Sequence, residues 1–236
     1  MHKKGFSLVE LSITLVIISL LIAAIAGGIH LMQATRINKV ISEMTGYGQA
    51  IDNFQLSYHN LPGDMPNATQ FWSNVRNGDG NTKIEGNTTE RLQAWTHLSK
   101  ARMISSAFTG NTTDPGIFEA GVNVPGSAIK NAYYMVGYEV LYPATTGRAG
   151  HTIALVSTDT AHNPEGGALS PQDARIIDKK LDETANPADG NLFVLRAAIA
   201  KSTAGLCVTN SYTNASNADY DMSDHTDSCR LALWIN

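Results

Sequence analysis

The sequence predicts an α+β protein in which one long N-terminal helix packs against a head built on an antiparallel β-sheet. Three observations predict it. An apolar run opening at Leu8 passes without a proline into an amphipathic pattern that lasts to Tyr58. A dense turn cluster, His59 to Asn67, follows it. The C-terminal half then alternates short aromatic and β-branched clusters with turns.

The composition narrows the function classes before any element is considered. The 236 residues carry a formal net charge of -4, with 43% hydrophobic and 16% charged residues. Such a balance suits a globular domain and argues against a nucleic-acid surface, since no basic cluster occurs beyond the N-terminus. Setting the N-terminal run aside leaves roughly 200 residues, enough for the core of one domain and too few for a second full one.

The first element is the helix, expected from about Phe6 to Tyr58. Lys3 and Lys4 precede the apolar stretch and no basic pair follows until Arg36 and Lys39, so the positive-inside rule places the N-terminus in the cytoplasm and the remainder across the membrane. From Leu11 to Ile29 the run is uncharged and as a helix spans about 30 Å, one crossing of a bilayer. A transmembrane segment of about residues 8–30 is therefore expected. An ordinary signal peptide would share the basic start, and Ala23, Ala24 and Ala26 could serve a cleavage site. The pattern beyond them disagrees, because Ile37, Val40, Met44, Tyr47, Ile51, Phe54 and Tyr58 recur at alternating spacings of 3 and 4. That seam is the buried stripe of a helix continuing past the membrane.

One residue stands out in the apolar run. Glu10 puts a carboxylate where a charge costs about 2.5–3.5 kcal/mol on insertion scales, so a partner is expected. Its setting, Gly5-Phe6-Ser7-Leu8-Val9-Glu10-Leu11, is similar to the N-terminal signature of type IV prepilins and of the pseudopilins of type II secretion. The resemblance implies a pilin-like fold, removal of residues 1–5 as a leader by a prepilin peptidase that cuts between Gly5 and Phe6, and N-methylation of Phe6. It further implies that Glu10 neutralises the N-terminal amine of an adjacent subunit in a filament. Within one chain, an acid in the first turns also complements the helix dipole and lies one turn from that amine, so both partners remain open. At the twenty-second mature position, where major pilins commonly carry proline, stands Gly27, followed by Gly28. Glycines weaken a helix by about 1 kcal/mol each but keep the backbone donor.

The head is expected over 59–236. Asn77-Gly78-Asp79-Gly80-Asn81-Thr82-Lys83-Ile84-Glu85 places oxygen ligands at alternating positions, with Asn77, Asp79, Asn81 and Glu85 as a calcium set. Thr82 stands where an EF-hand needs glycine and Thr88 where it needs a bidentate glutamate, and Asn-Gly-Asp-Gly is equally a turn sequence. A helix is expected from Thr88 or Thr89 to about Met103, with His97 a surface or core histidine. Strands are expected over Ala132–Tyr142, Thr152–Ser157, Leu192–Leu195 and Leu231–Ile235. Between them, Ser170-Pro171-Gln172-Asp173 reads as a capped helix start that continues to Leu181. Cys207 and Cys229 both lie outside the reducing cytoplasm in this topology, so a disulfide is expected, closing a loop 207–229 worth roughly 3 kcal/mol.

No nucleophile elbow, zinc helix, phosphate loop or dinucleotide fingerprint is present, so no enzyme activity and no obligatory cofactor is expected, calcium aside. The resemblance implies a structural subunit, pilin or pseudopilin, of a type IV pilus or type II secretion pseudopilus. The length of the head and Gly27 favour a minor subunit. Its partners would be other such subunits, the prepilin peptidase and methyltransferase, and the lipid of a bacterial inner membrane, with the head in the periplasm or outside. A tip or adhesive binding module, and a membrane-anchored extracytoplasmic enzyme, are the alternatives.

Overall fold

A computed structural model of the chain describes residues 7–85, 89–110, 118–140, 149–158, 166–182, 186–187, 190–194, 207–209 and 219–235. Helix α1, Leu8–Tyr58, is a single unbroken element of 51 residues, roughly 75 Å long at 1.5 Å per residue. It runs through Gly27 and Gly28 without interruption. His59 ends it in the left-handed conformation, φ 54°, its N–H donating to the Gln55 carbonyl. Residues 7–36 are exposed throughout, and the first buried side chain is Ile37. From there Val40, Met44, Ile51 and Phe54 are buried and Tyr47 and Tyr58 half-buried, which is the expected seam. Gly48 joins this stripe because a Cβ there would press to 3.3 Å of Ile235 Cγ2.

The remaining elements are a 3-10 turn Ala68–Gln70, α2 Thr89–Lys100, β1 Ala132–Val140, β2 Ala149–Ser157, α3 Pro171–Asp182, β3 Leu192–Val194 and β4 Leu231–Trp234. The four strands form one sheet in the order β1-β2-β4-β3, with every neighbouring pair antiparallel. Strand β4 stops at Trp234, one residue short of the expected Ile235, and two boundaries differ by more. Strand β2 begins at Ala149, earlier than Thr152, because β1 pairs along its whole length, from Ala132 opposite Ser157 to Val140 opposite Ala149. Gly150 there is a packing residue, since the indole of Trp234 occupies the space a Cβ would need. Helix α2 stops at Lys100, short of Met103, where Arg102 turns left-handed at φ 59° and the Met103 N–H closes back on the Leu98 carbonyl. Residues 141–142 and 195, expected in strands, lie outside the described residues.

The core sits where α1 meets α2 and the sheet. The Tyr47 ring packs edge-on against Trp95 at 5.1 Å and near Tyr134 at 5.2 Å. The Tyr134 hydroxyl donates to Glu43 Oε2 at 2.8 Å, giving this buried phenol its partner on α1. Helix α2 is buried continuously from Leu92 to Leu98, beyond the single stripe its periodicity suggests. Within it Gln93 is satisfied by the backbone, accepting the Arg76 N–H and donating to the Gly110 carbonyl. Helix α3 lies along the lower part of the exposed-to-buried transition of α1, where Gln33 donates to Asp173 and Lys180 to Asn38.

Candidate functional site

The N-terminal half of α1 is built for an apolar environment. Its most apolar 18-residue window has a mean hydropathy of 2.7 and none of it is buried by the head. The hydroxyls in this run are satisfied within the helix: Ser12 donates to the Val9 carbonyl, Thr14 to Leu11 and Ser19 to Leu15, at 2.7 to 2.8 Å. These three hydroxyls therefore need no water, a condition that helix hydroxyls must meet in lipid. By length and composition the segment can cross a membrane once.

Glu10 finds a partner in its own chain. Its Oε2 accepts the Ser7 N–H at 2.9 Å, while Ser7 Oγ accepts the Val9 N–H at 3.3 Å, a capping box that starts α1. Two of the donors that every helix start leaves unpaired are thereby satisfied. Between Lys4 and Arg36, Glu10 is the only Asp, Glu, Lys or Arg. Gly5 and Phe6 lie outside the described residues.

In the head, the loop read as a turn or a calcium site is braced by carboxylates that lie outside it. Asp64, buried at 2% exposure, accepts the Gly80 and Asn81 N–H groups on Oδ1 and the Thr82 N–H on Oδ2. Glu90, in the first turn of α2, accepts the Asp79 and Glu85 N–H groups. Of the four expected ligands, Asp79, Asn81 and Glu85 meet through the Asn81 side-chain amide, which donates to both carboxylates. Asn77 faces the other way and accepts the Thr69 N–H. Carboxylate oxygens of Asp64, Asp79 and Glu90 come within 4.8 Å of one another. Burial raises the Asp64 carboxyl and likewise the Glu90 carboxyl above the usual range, the latter helped by the charges of Asp79 and Asp64. Asp64 and Glu90 escape a local reading because they lie before and after the alternating run. Gly63 and Gly78 permit the fold of this loop, since a Cβ at either would meet backbone, of Glu90 and Asp64 respectively.

His97 is a core residue. It is fully buried, its Nδ1 accepts the Gly63 N–H at 2.9 Å and its Nε2 lies 3.0 Å from the Arg76 carbonyl, an assignment that fixes the neutral ring with its proton on Nε2. Stacked against Phe54 and flanked by Trp72, it has its pKa pushed down to about 4 by burial. Cys207 and Cys229 form a disulfide, and Cys229 is fully buried.

Residues 1–26 match the family model described as the prokaryotic N-terminal methylation motif. The chain thus carries the type IV prepilin-like signature on a long helix that leads into an α+β head with an antiparallel sheet. No curated protein and no solved structure matches it. Motif and helix together fit a membrane-anchored, single-pass subunit of pilin or pseudopilin type.

Proposed function

We propose that the protein is a minor structural subunit of a type IV pilus or type II secretion pseudopilus, cut between Gly5 and Phe6, N-methylated on Phe6 and assembled through α1. The observation that carries this reading is the continuity of the methylation motif with an unbroken helix whose first half is bare and apolar and whose second half is the spine of the head core. A cut after Ala26 would discard most of the part of the helix that the head leaves uncovered. Cleavage after Gly5 keeps it, as an anchor in the bacterial inner membrane and then as the interior of a filament. The reading divides the chain into a leader, residues 1–5, an assembly helix, residues 6–58, and an extracytoplasmic head, residues 59–236.

In the assembled state Glu10 meets the amine of the neighbouring subunit's Phe6. Support comes from its isolation as the one charge in the apolar run and from the price of leaving such a charge unpaired there. Mass spectrometry of protein from a host with a prepilin peptidase tests the processing. The expected N-terminus is N-methylated Phe6. A chain beginning at Met1 or after Ala26 overturns the reading.

A further inference from the structure

The C-terminal segment Asp219–Cys229 is held at its two ends by different chemistry. At Cys229 it is fixed by the disulfide and by backbone pairing with Leu169, whose carbonyl accepts the Cys229 N–H at 2.8 Å. At the other end it is held by Tyr220, whose hydroxyl donates to Asp178 Oδ2 on α3 at 2.9 Å, with both side chains buried. Backbone bonds lean on that end: the Asp221 N–H donates to the Cys207 carbonyl and the Thr209 N–H to the Asp219 carbonyl.

Asp178 is poorly provided for as an anion. It has no exposed surface, and its Oδ1 has no hydrogen-bond partner among the described residues. On its own helix the charges that bear on the pair are those of Asp182 and Arg175. Asp182 is itself engaged, accepting the Asn191 and Leu192 N–H groups. Strand β3, packed on α3, contributes Leu192 and Val194, both buried and apolar. On α1 the polar groups that reach α3 are Gln33, spent on Asp173, and Asn38, spent on Lys180. From the C-terminal segment, His225 reaches Gln172 and Tyr220 reaches Asp178. No cation contacts the Asp178 carboxyl among the described residues.

We propose that Asp178 and Tyr220 form a proton-operated latch: with Asp178 protonated the segment is clamped on α3, and ionisation of Asp178 opens the Tyr220 end while Cys229 remains the hinge. Burial holds the Asp178 carboxyl up at about 7, so the latch works across the range from mildly acidic to mildly alkaline surroundings. Above that range a charge without a second partner is retained in an apolar site only at a cost, and opening hydrates it. The device does not depend on which filament the subunit serves.

The test is hydrogen exchange on the full-length protein in detergent, with rates corrected for intrinsic exchange. From pH 5.5 to pH 8, protection of the Thr209 and Asp221 amides falls about tenfold or more, whereas protection of Cys229 stays level. In Asp178→Asn, which keeps the shape and removes the titration, Thr209 and Asp221 stay protected throughout. A level profile in the unaltered protein, an equal fall at Cys229, or the same fall in Asp178→Asn overturns the latch. Should Asp178→Asn fail to fold, Tyr220→Phe serves instead. Loss of the hydroxyl removes the clamp, so in Tyr220→Phe the Thr209 and Asp221 amides are weakly protected already at pH 5.5, and a profile identical to that of the unaltered protein overturns the proposal.

Discussion

Glu10 holds two possible roles apart by a single atom. Glutamine keeps an oxygen that can accept the Ser7 N–H, so Glu10→Gln preserves the capping box and removes the charge, whereas Glu10→Ala removes both. If pairing with a neighbour's amine drives assembly, filament incorporation is lost in both variants. Incorporation of Glu10→Gln at the normal level, scored by immunoblot of sheared filaments, would reduce the residue to a helix cap. His97 illustrates the opposite case, a titratable group whose place is entirely in the core. Its neutral form is required by the Gly63 and Arg76 backbone groups it serves, and a charged ring would lose its acceptor at Nδ1. The sequence offers no cue for this, because its partners lie 34 and 21 residues away. The same distance problem hid Asp64 and Glu90: alternating oxygens within one loop are visible as a pattern, while the carboxylates that hold the loop's amides come from outside it.

At the scale of elements, α1 was legible almost residue by residue, since a repeat of 3 and 4 can be met by one structure only. Its two halves should answer differently to truncation. Met44→Ala, at a fully buried position, lowers head stability by about 2–5 kcal/mol, measured by denaturant unfolding. Leu20→Ala, at a position 66% exposed, leaves the head unchanged and registers in membrane insertion or filament assembly. The strands were less legible at their ends. Ala149 and Gly150 look like turn residues, and only the pairing with Val140 and Glu139 and the covering Trp234 make them strand. The disulfide is the other element-scale staple. Replacing Cys207 and Cys229 together by serine removes a cross-link between residues 22 apart, an effect of roughly 3 kcal/mol in the chain-entropy model, read as a lower denaturation midpoint without change of fold.

For the whole molecule, two buried groups set opposing pH slopes. His97 has a folded pKa near 4 against 6.5 in the open chain, so the unfolded state binds the extra proton and stability is lost as pH falls from 6.5 to 4, by about 3 kcal/mol. Asp178 has a folded pKa near 7 against 3.8, so the folded state binds the extra proton and stability is lost as pH rises from 4 to 7, by about 4 kcal/mol. Asp64 and Glu90, both raised, share the sign of Asp178. On balance the head should therefore lose stability as pH rises through this window, with His97 offsetting only part of the carboxyl groups' slope. His97→Gln is expected to steepen that fall, and Asp178→Asn to lessen it, in urea titrations at pH 4, 5.5 and 7. A chain beginning at residue 33 should retain the head, because it keeps the Gln33 hydrogen bond to Asp173 of α3 and the first buried side chain, Ile37. It is expected to be soluble without detergent, with the near-ultraviolet spectrum of the full-length head.

The absence of a break in α1 also has a mechanical meaning. A helix without a hinge from Leu8 to Tyr58 cannot relieve a pull by bending at the membrane surface. In the proposed assembly, tension on the N-terminal end of α1 would be delivered as shear along the buried stripe from Ile37 to Phe54. The same packing that keeps the head folded thus sets the force at which the subunit can be drawn out of the membrane without being torn from its own anchor.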